Sequence, residues 1–210
     1  MKDIYQIILN EYGYDEPIFT SDIASLLNTN SNSARQTIKR LADQGYIKKV
    51  RNGIYFIPNT DTTLKNPKLN VNKIIEKRYL KNQDNRIGYL SGTNFANKLG
   101  LTTQTASIPT VITNNTSSIK RQVQYYNKKI ILKKPRATVT NDNYKILQVL
   151  DLINDYDRLS ERPFTEIKPV ILNYLKSEPN QNKDITDYLE LYPTKTKLKI
   201  YESGINYEVT

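Results

Sequence analysis

Between Pro17 and Pro58 the sequence sets down, in unbroken order, a short capped apolar stretch, a polar turn, an amphipathic stretch, a glycine and an Asn-Gly hairpin. Thr20 offers a hydroxyl to cap a helix over Thr20–Leu27, with Asp22 at its positive end and Ile23, Leu26 and Leu27 facing inward. Asn28-Thr29-Asn30 is the turn. A second helix is predicted from Ser31 to Gln44, capped by Asn30 or Ser31, because Ala34, Thr37, Ile38 and Leu41 recur at the helical period. Gly45 closes it. Tyr46–Val50 and Ile54–Ile57 are then two short strands joined by Arg51-Asn52-Gly53, a strong hairpin signal. Upstream, a helix over Lys2–Tyr12 is predicted to bury Ile4, Ile7, Ile8 and Tyr12 and to stop at Gly13, with Ile18-Phe19 as a short strand. This order is that of a winged helix-turn-helix over residues 1–58.

The polar side of the second helix has a use. Asn32, Ser33, Arg35, Gln36, Lys39 and Arg40 leave no carboxylate on that side. In a helix-turn-helix the start of this helix meets base edges, where Asn and Gln bind adenine and Arg binds guanine. Asn32, Ser33, Arg35 and Gln36 are therefore the expected base readers, with Ser31, Lys39, Arg40, Lys48, Lys49, Arg51 and Asn52 on the backbone of double-stranded DNA. The blander reading is an amphipathic helix with a solvated face, or a winged helix that binds protein. The complete ordered set favours DNA over either.

Net charge is +10, and its distribution is uneven. Residues 59–139 hold 15 basic and 3 acidic side chains, whereas residues 140–210 hold 9 and 12. Such a basic middle segment suits a polyanion. The absence of cysteine and histidine removes disulfides, thiolate chemistry, the usual general base and the commonest metal ligand, so neither an enzyme nor a metal or other cofactor is expected. No stretch approaches the roughly 20 apolar residues of a membrane span, and the start of the chain lacks a leader's basic and apolar pattern. A cytoplasmic protein with no membrane partner is expected.

A chain of 210 residues has room for two domains. Residues 59–70, polar and broken by Pro67, read as a linker. The second domain, 71–210, opens with a helix over Val71–Lys81 that buries Ile74, Ile75, Tyr79 and Leu80 and turns Lys73, Lys77, Arg78 and Lys81 outward. Ile87–Gln104 follows as a strand or turn and a short helix ending at Gly100. Strands are predicted over Ile108–Thr113, Ile119–Tyr125 and Ile130–Leu132, whose flanks add Lys120, Arg121, Lys128 and Lys129 to a second basic surface. From residue 140 the pattern turns helical. Thr140 is a candidate cap for a helix carrying Ile146, Val149, Leu150, Ile153 and Tyr156; Glu166–Ser177, with Pro169 in its first turn, and Asp184–Tyr192 are further candidates. The fold class is α+β: a winged helix-turn-helix, then a larger mixed α/β domain with a helical C-terminal part.

Three features invite chemistry and have structural explanations. Asp151, Asp155 and Asp157 form the one dense acid cluster, but Arg158 adjoins them and no histidine or cysteine joins, so solvated acids are favoured over a divalent-metal or nucleotide-transfer site. Gly88, Gly92 and Thr93 lack the spacing and lysine of a phosphate loop, and read as turn residues; Ser91, Thr93 and Asn94 could still line an anion pocket. Tyr125 and Tyr126 beside Lys128 and Lys129 suit base stacking, but packing within a sheet is favoured.

The order of a winged helix with Gly45-Tyr46-Ile47 and Asn52-Gly53-Ile54-Tyr55, then Gly88-Tyr89-Leu90-Ser91-Gly92, Leu99-Gly100-Leu101-Thr102-Thr103-Gln104 and strands resembles the AbiEi-type antitoxins of type IV abortive-infection systems. The resemblance covers roughly residues 1–135. It implies a transcriptional autorepressor that binds inverted repeats in its own promoter, and an antitoxin that counters a nucleotidyltransferase-like toxin without a stable direct complex. The rival expectations are a stand-alone regulator whose second domain senses a ligand and, from a different class, an enzyme that modifies a toxin.

Overall fold

The computed structural model describes residues 2–59, 66–177 and 184–208 of a mixed α+β chain. Two compact units divide it: Met1–Lys77 with Tyr125–Asn127, and Arg78–Gln124 with Lys128–Thr210. Among the described residues no helix is long and apolar enough to cross a membrane.

In the first unit, α1 (Lys2–Tyr12) leads through β1 (Ile18–Phe19) into α2 (Thr20–Leu26) and α3 (Ser31–Asp43), followed by β2 (Lys48–Arg51) and β3 (Ile54–Phe56). The three strands form one antiparallel sheet in the order β1-β3-β2. Ile8, Ile18, Ile23, Ala34, Ile38, Leu41, Ile47 and Ile57 share its core, so the 3.6-residue spacing of α3 and the alternation of the hairpin converge on one apolar volume. Ile7 is a correction to the expected stripe: it is 47% exposed, while Tyr5 and Leu9 pack instead and the Tyr5 ring meets that of Tyr46. Thr20 is not the cap of α2. Phe19 holds the cap position, and its N–H donates to Asp22 Oδ2 at 3.0 Å. The β2–β3 turn combines a left-handed Gly53 with a register shift between Lys49 and Arg51, so an extra residue kinks the strand next to the turn.

The expected linker, 59–70, and the expected second-domain start at 71 both need correction. Residues 60–65 lie outside the described residues, but Leu69 is buried and its N–H donates to the Tyr126 hydroxyl within the first unit. The helix α4 (Val71–Ile75), capped by Asn70, belongs to that unit as well. A π turn over Glu76–Leu80 continues it.

The second unit carries a small hairpin, β4 (Lys81–Asn82) with β5 (Asn85–Arg86), that the sequence reading missed. Its main sheet contains β6 (Gly88–Ser91), β7 (Thr110–Thr113), β8 (Lys120–Tyr125) and β9 (Lys128–Lys133) in the order β6-β7-β9-β8, with β6–β7 antiparallel and β7–β9 parallel. A short helix, α5 (Thr93–Lys98), lies between β6 and β7 in the chain. Gly88 and Gly92 have separate reasons. A Cβ on Gly88 would stand 2.1 Å from the Tyr79 carbonyl oxygen and 2.5 Å from that of Ile112; Gly92 adopts φ +66°, where side chains are strained.

The helical part is built on α6 (Tyr144–Asn154), which packs on β6 and is buried along nearly its whole length. Asn143, not Thr140, precedes it, and the Asn143 side chain accepts the Thr140 N–H at 2.8 Å. After α7 (Tyr156–Leu159), α8 (Phe164–Lys176) begins two residues earlier than expected, which places Pro169 inside the helix and not in its first turn. Ile185–Leu191 is a 3-10 helix capped by Asp184. Two further helices, α9 (Thr194–Ser203) and α10 (Ile205–Glu208), follow Pro193, beyond the last helix that the sequence pattern predicts.

Candidate nucleic-acid interface

α3 starts where it does because Asn30 is extended and its carboxamide oxygen accepts the N–H groups of Asn32 at 3.0 Å and Ser33 at 2.9 Å. Burial of Ala34, Ile38 and Leu41 then fixes the rotation of the helix. Ser31, Asn32, Ser33, Arg35, Gln36, Lys39 and Arg40 are all exposed as a result. Helical geometry brings Asn32, Arg35, Gln36 and Lys39 onto one stripe about 100° wide. Arg35 Nη1 donates to Asn32 Oδ1 at 3.1 Å, a pairing that the spacing of three permits and the sequence reading did not draw. Asp43 is the sole carboxylate between Asp22 and Asp61, and it occupies the last residue of α3.

On the hairpin, Lys49, Arg51 and Asn52 are exposed, whereas Lys48 is half-buried with Nζ 3.4 Å from Asn66 Oδ1. The Arg51 guanidinium lies 5.3 Å from the centre of the Tyr125 ring, both in the first unit. Tyr125 itself is 1% exposed and packs as the last residue of β8, whereas Tyr126, just past the strand, is half-buried and its hydroxyl accepts the Leu69 N–H.

Of the residues expected on the second basic surface, Lys73 and Lys77 are half-buried and ion-paired. Lys73 Nζ sits 2.5 Å from Glu16 Oε1 and 2.9 Å from the Asp15 carbonyl oxygen. Lys77 Nζ sits 2.6 Å from Asp22 Oδ2 and 2.8 Å from the Pro17 carbonyl oxygen, over the faces of Tyr12 and Phe19. Burial, with Asp22 and Glu11 adding repulsion, pushes the Tyr12 hydroxyl up to about 12. Lys73, in α4, is thereby tied to the segment between α1 and β1, and Lys77, in the π turn, to α2, so both ammonium groups have carboxylate partners within the first unit. The local reading missed this because each pair joins residues more than fifty positions apart. Lys81, Lys120, Arg121, Lys128 and Lys129 are exposed, Arg78 is half-buried, and Arg121 also donates to Thr116.

The acid cluster is dispersed, and Asp151 corrects the expectation of solvated acids, since its side chain is only 15% exposed. Asp151 accepts the hydroxyls of Tyr89 at 2.7 Å and Tyr192 at 3.0 Å, with Arg136 at 3.9 Å. Burial raises its carboxyl above the ordinary range, against the pull of those hydroxyls and Arg136. Asp155 pairs with Arg158 and Asp157 with Lys199. Among the described residues, no three side chains of metal-ligating type gather. At the other candidate pocket, α5 has six residues, Ser91 is buried, and Asn94 Oδ1 is buried without a hydrogen bond.

A family model described as a family of unknown function, DUF6088, matches residues 17–176. The chain belongs to the DUF6088 family. Among curated proteins, none matches it. The DUF6088 span opens at Pro17, just before β1, and takes in α2, α3, the β2–β3 hairpin and the second unit as far as the last residue of α8. It thus includes every residue of the exposed α3 stripe and the basic strands β8 and β9. α1, α9 and α10 stand outside it.

Proposed function

We propose that this chain is a DNA-binding transcriptional repressor whose first unit works as a winged helix-turn-helix, with α3 in the major groove and the β2–β3 hairpin as wing. The observation that carries this reading is the exposed stripe of α3, in which Asn32, Arg35, Gln36 and Lys39 stand together with no carboxylate before Asp43. Side chains of this type match base edges and phosphates, and the absence of nearby acids removes the repulsion a polyanion would meet. Lys49, Arg51 and Asn52 supply sequence-blind contacts from the hairpin. Lys120, Arg121, Lys128 and Lys129 add a second basic surface in the strands β8 and β9.

The similarity to AbiEi-type antitoxins extends the proposal: the repressor binds inverted repeats in its own promoter and serves as the antitoxin of a type IV system, with double-stranded operator DNA as direct partner and a nucleotidyltransferase-like toxin as functional partner. The two parts of the proposal have separate tests. Retardation of the promoter fragment by the full chain, weakened at least tenfold in Arg35→Ala/Gln36→Ala, supports DNA docking through α3; equal binding by both proteins refutes it. Co-expression with the adjacent gene, scored by growth, tests antitoxicity. Growth arrest that the full chain does not relieve would leave a repressor that is no antitoxin.

A further inference from the structure

The first two turns of α3 assign different tasks to side chains that composition alone treats alike. Asn30 uses its carboxamide oxygen on the N–H groups of Asn32 and Ser33, so the start of the helix is closed by its own cap. Asn32 uses its oxygen on Arg35, at 3.1 Å. Reading adenine in a bidentate manner needs the acceptor and the donor of one carboxamide turned together to the base edge, whereas the Asn32 carboxamide is oriented by its bond to Arg35, which takes one of the two lone pairs of its oxygen.

Arg35 is in the opposite condition. A guanidinium carries five N–H donors in one rigid plane. A single hydrogen bond from Nη1 to Asn32 sets the direction of that plane and leaves the other donors open on an exposed side chain. Two parallel donors on one planar cation match O6 and N7 of guanine. Holding the long Arg35 chain in place before docking reduces the entropy lost on binding. The one carboxylate of α3, Asp43, is eight residues further on, about 12 Å along the axis, so nothing anionic on this helix competes for the guanidinium.

We infer that α3 selects a guanine through Arg35, and that Asn32 is the residue that positions the guanidinium and not a reader of bases. This inference rests on the DNA-docking reading above and specifies the base that reading leaves open.

Selection from a randomised duplex pool, performed with the full-length wild type and with Asn32→Ala, Arg35→Ala and the double variant, is the test. Affinities are then measured on the selected duplex and on a copy with the guanine replaced. The wild type is expected to enrich one guanine per site, whose replacement weakens binding about 10- to 100-fold. Arg35→Ala binds both duplexes alike. Asn32→Ala still prefers guanine but by a margin several-fold narrower, and the double variant is no weaker than Arg35→Ala alone. A double variant that loses the product of the two single effects, or a base preference at another position that vanishes in Asn32→Ala, would make Asn32 a reader and overturn the assignment. A selected duplex without an Arg35-dependent guanine overturns the inference and leaves DNA docking standing. Enrichment of no duplex overturns both.

Discussion

Lys77 shows how one side chain changes meaning with its surroundings. Its ammonium sits between Asp22, the Pro17 carbonyl and the rings of Tyr12 and Phe19, so the charge that looked available to a polyanion stabilises the first unit. Tyr12, in the same cluster, gives a pH signature. Its phenol ionises at about 12 in the folded chain and at an ordinary 10 when unfolded. The native state therefore holds this proton more tightly, and its stabilising effect is complete below pH 10 and lost as pH rises from 10 towards 12. Urea unfolding of wild type and Tyr12→Phe across that range is expected to show the steeper decline in the wild type; parallel declines would contradict the shift.

Caps and close approaches decide where the elements begin and how near they come. Asn30 closes the start of α3, and Asn30→Ala is expected to lower stability by about 1 kcal/mol, with Asn30→Gly costing only a few tenths, both read by denaturant midpoint. Gly88 is more demanding. Its missing Cβ makes room for two carbonyl oxygens closer than any side chain allows, so Gly88→Ala must push β6 away from β7 and is expected to destabilise by about 3 kcal/mol or more, seen as loss of soluble folded protein. Periodicity made α1, α3, α6 and the core strands legible, because their apolar spacing is local and long enough to declare a period. Boundaries were less so. Thr20 and Thr140 have the chemistry of caps, yet Phe19 and Asn143 hold those positions, since the packing of β1 into α2 and of α6 on β6 sets where each helix starts.

Two units with separate cores predict separable stability. Replacing Lys73 and Lys77 by Ala in the full chain removes the ion pairs to Glu16, in the segment before β1, and to Asp22, in α2, so amide exchange is expected to accelerate across α1–α3 and remain unchanged in α6. Acceleration in α6 equal to that in α3 would refute independent cores. By itself the sequence determined the α+β class, the order of helices and hairpin between Pro17 and Pro58 and the carboxylate-free stripe of α3, because each depends on spacing within a few turns or on residue type alone. Tertiary structure alone decided that α4 belongs to the first unit, that Lys73 and Lys77 are spent on Glu16 and Asp22, and that Asp151 is gripped by Tyr89 and Tyr192. Those partners are distant along the chain, and only the folded backbone brings them within hydrogen-bonding distance.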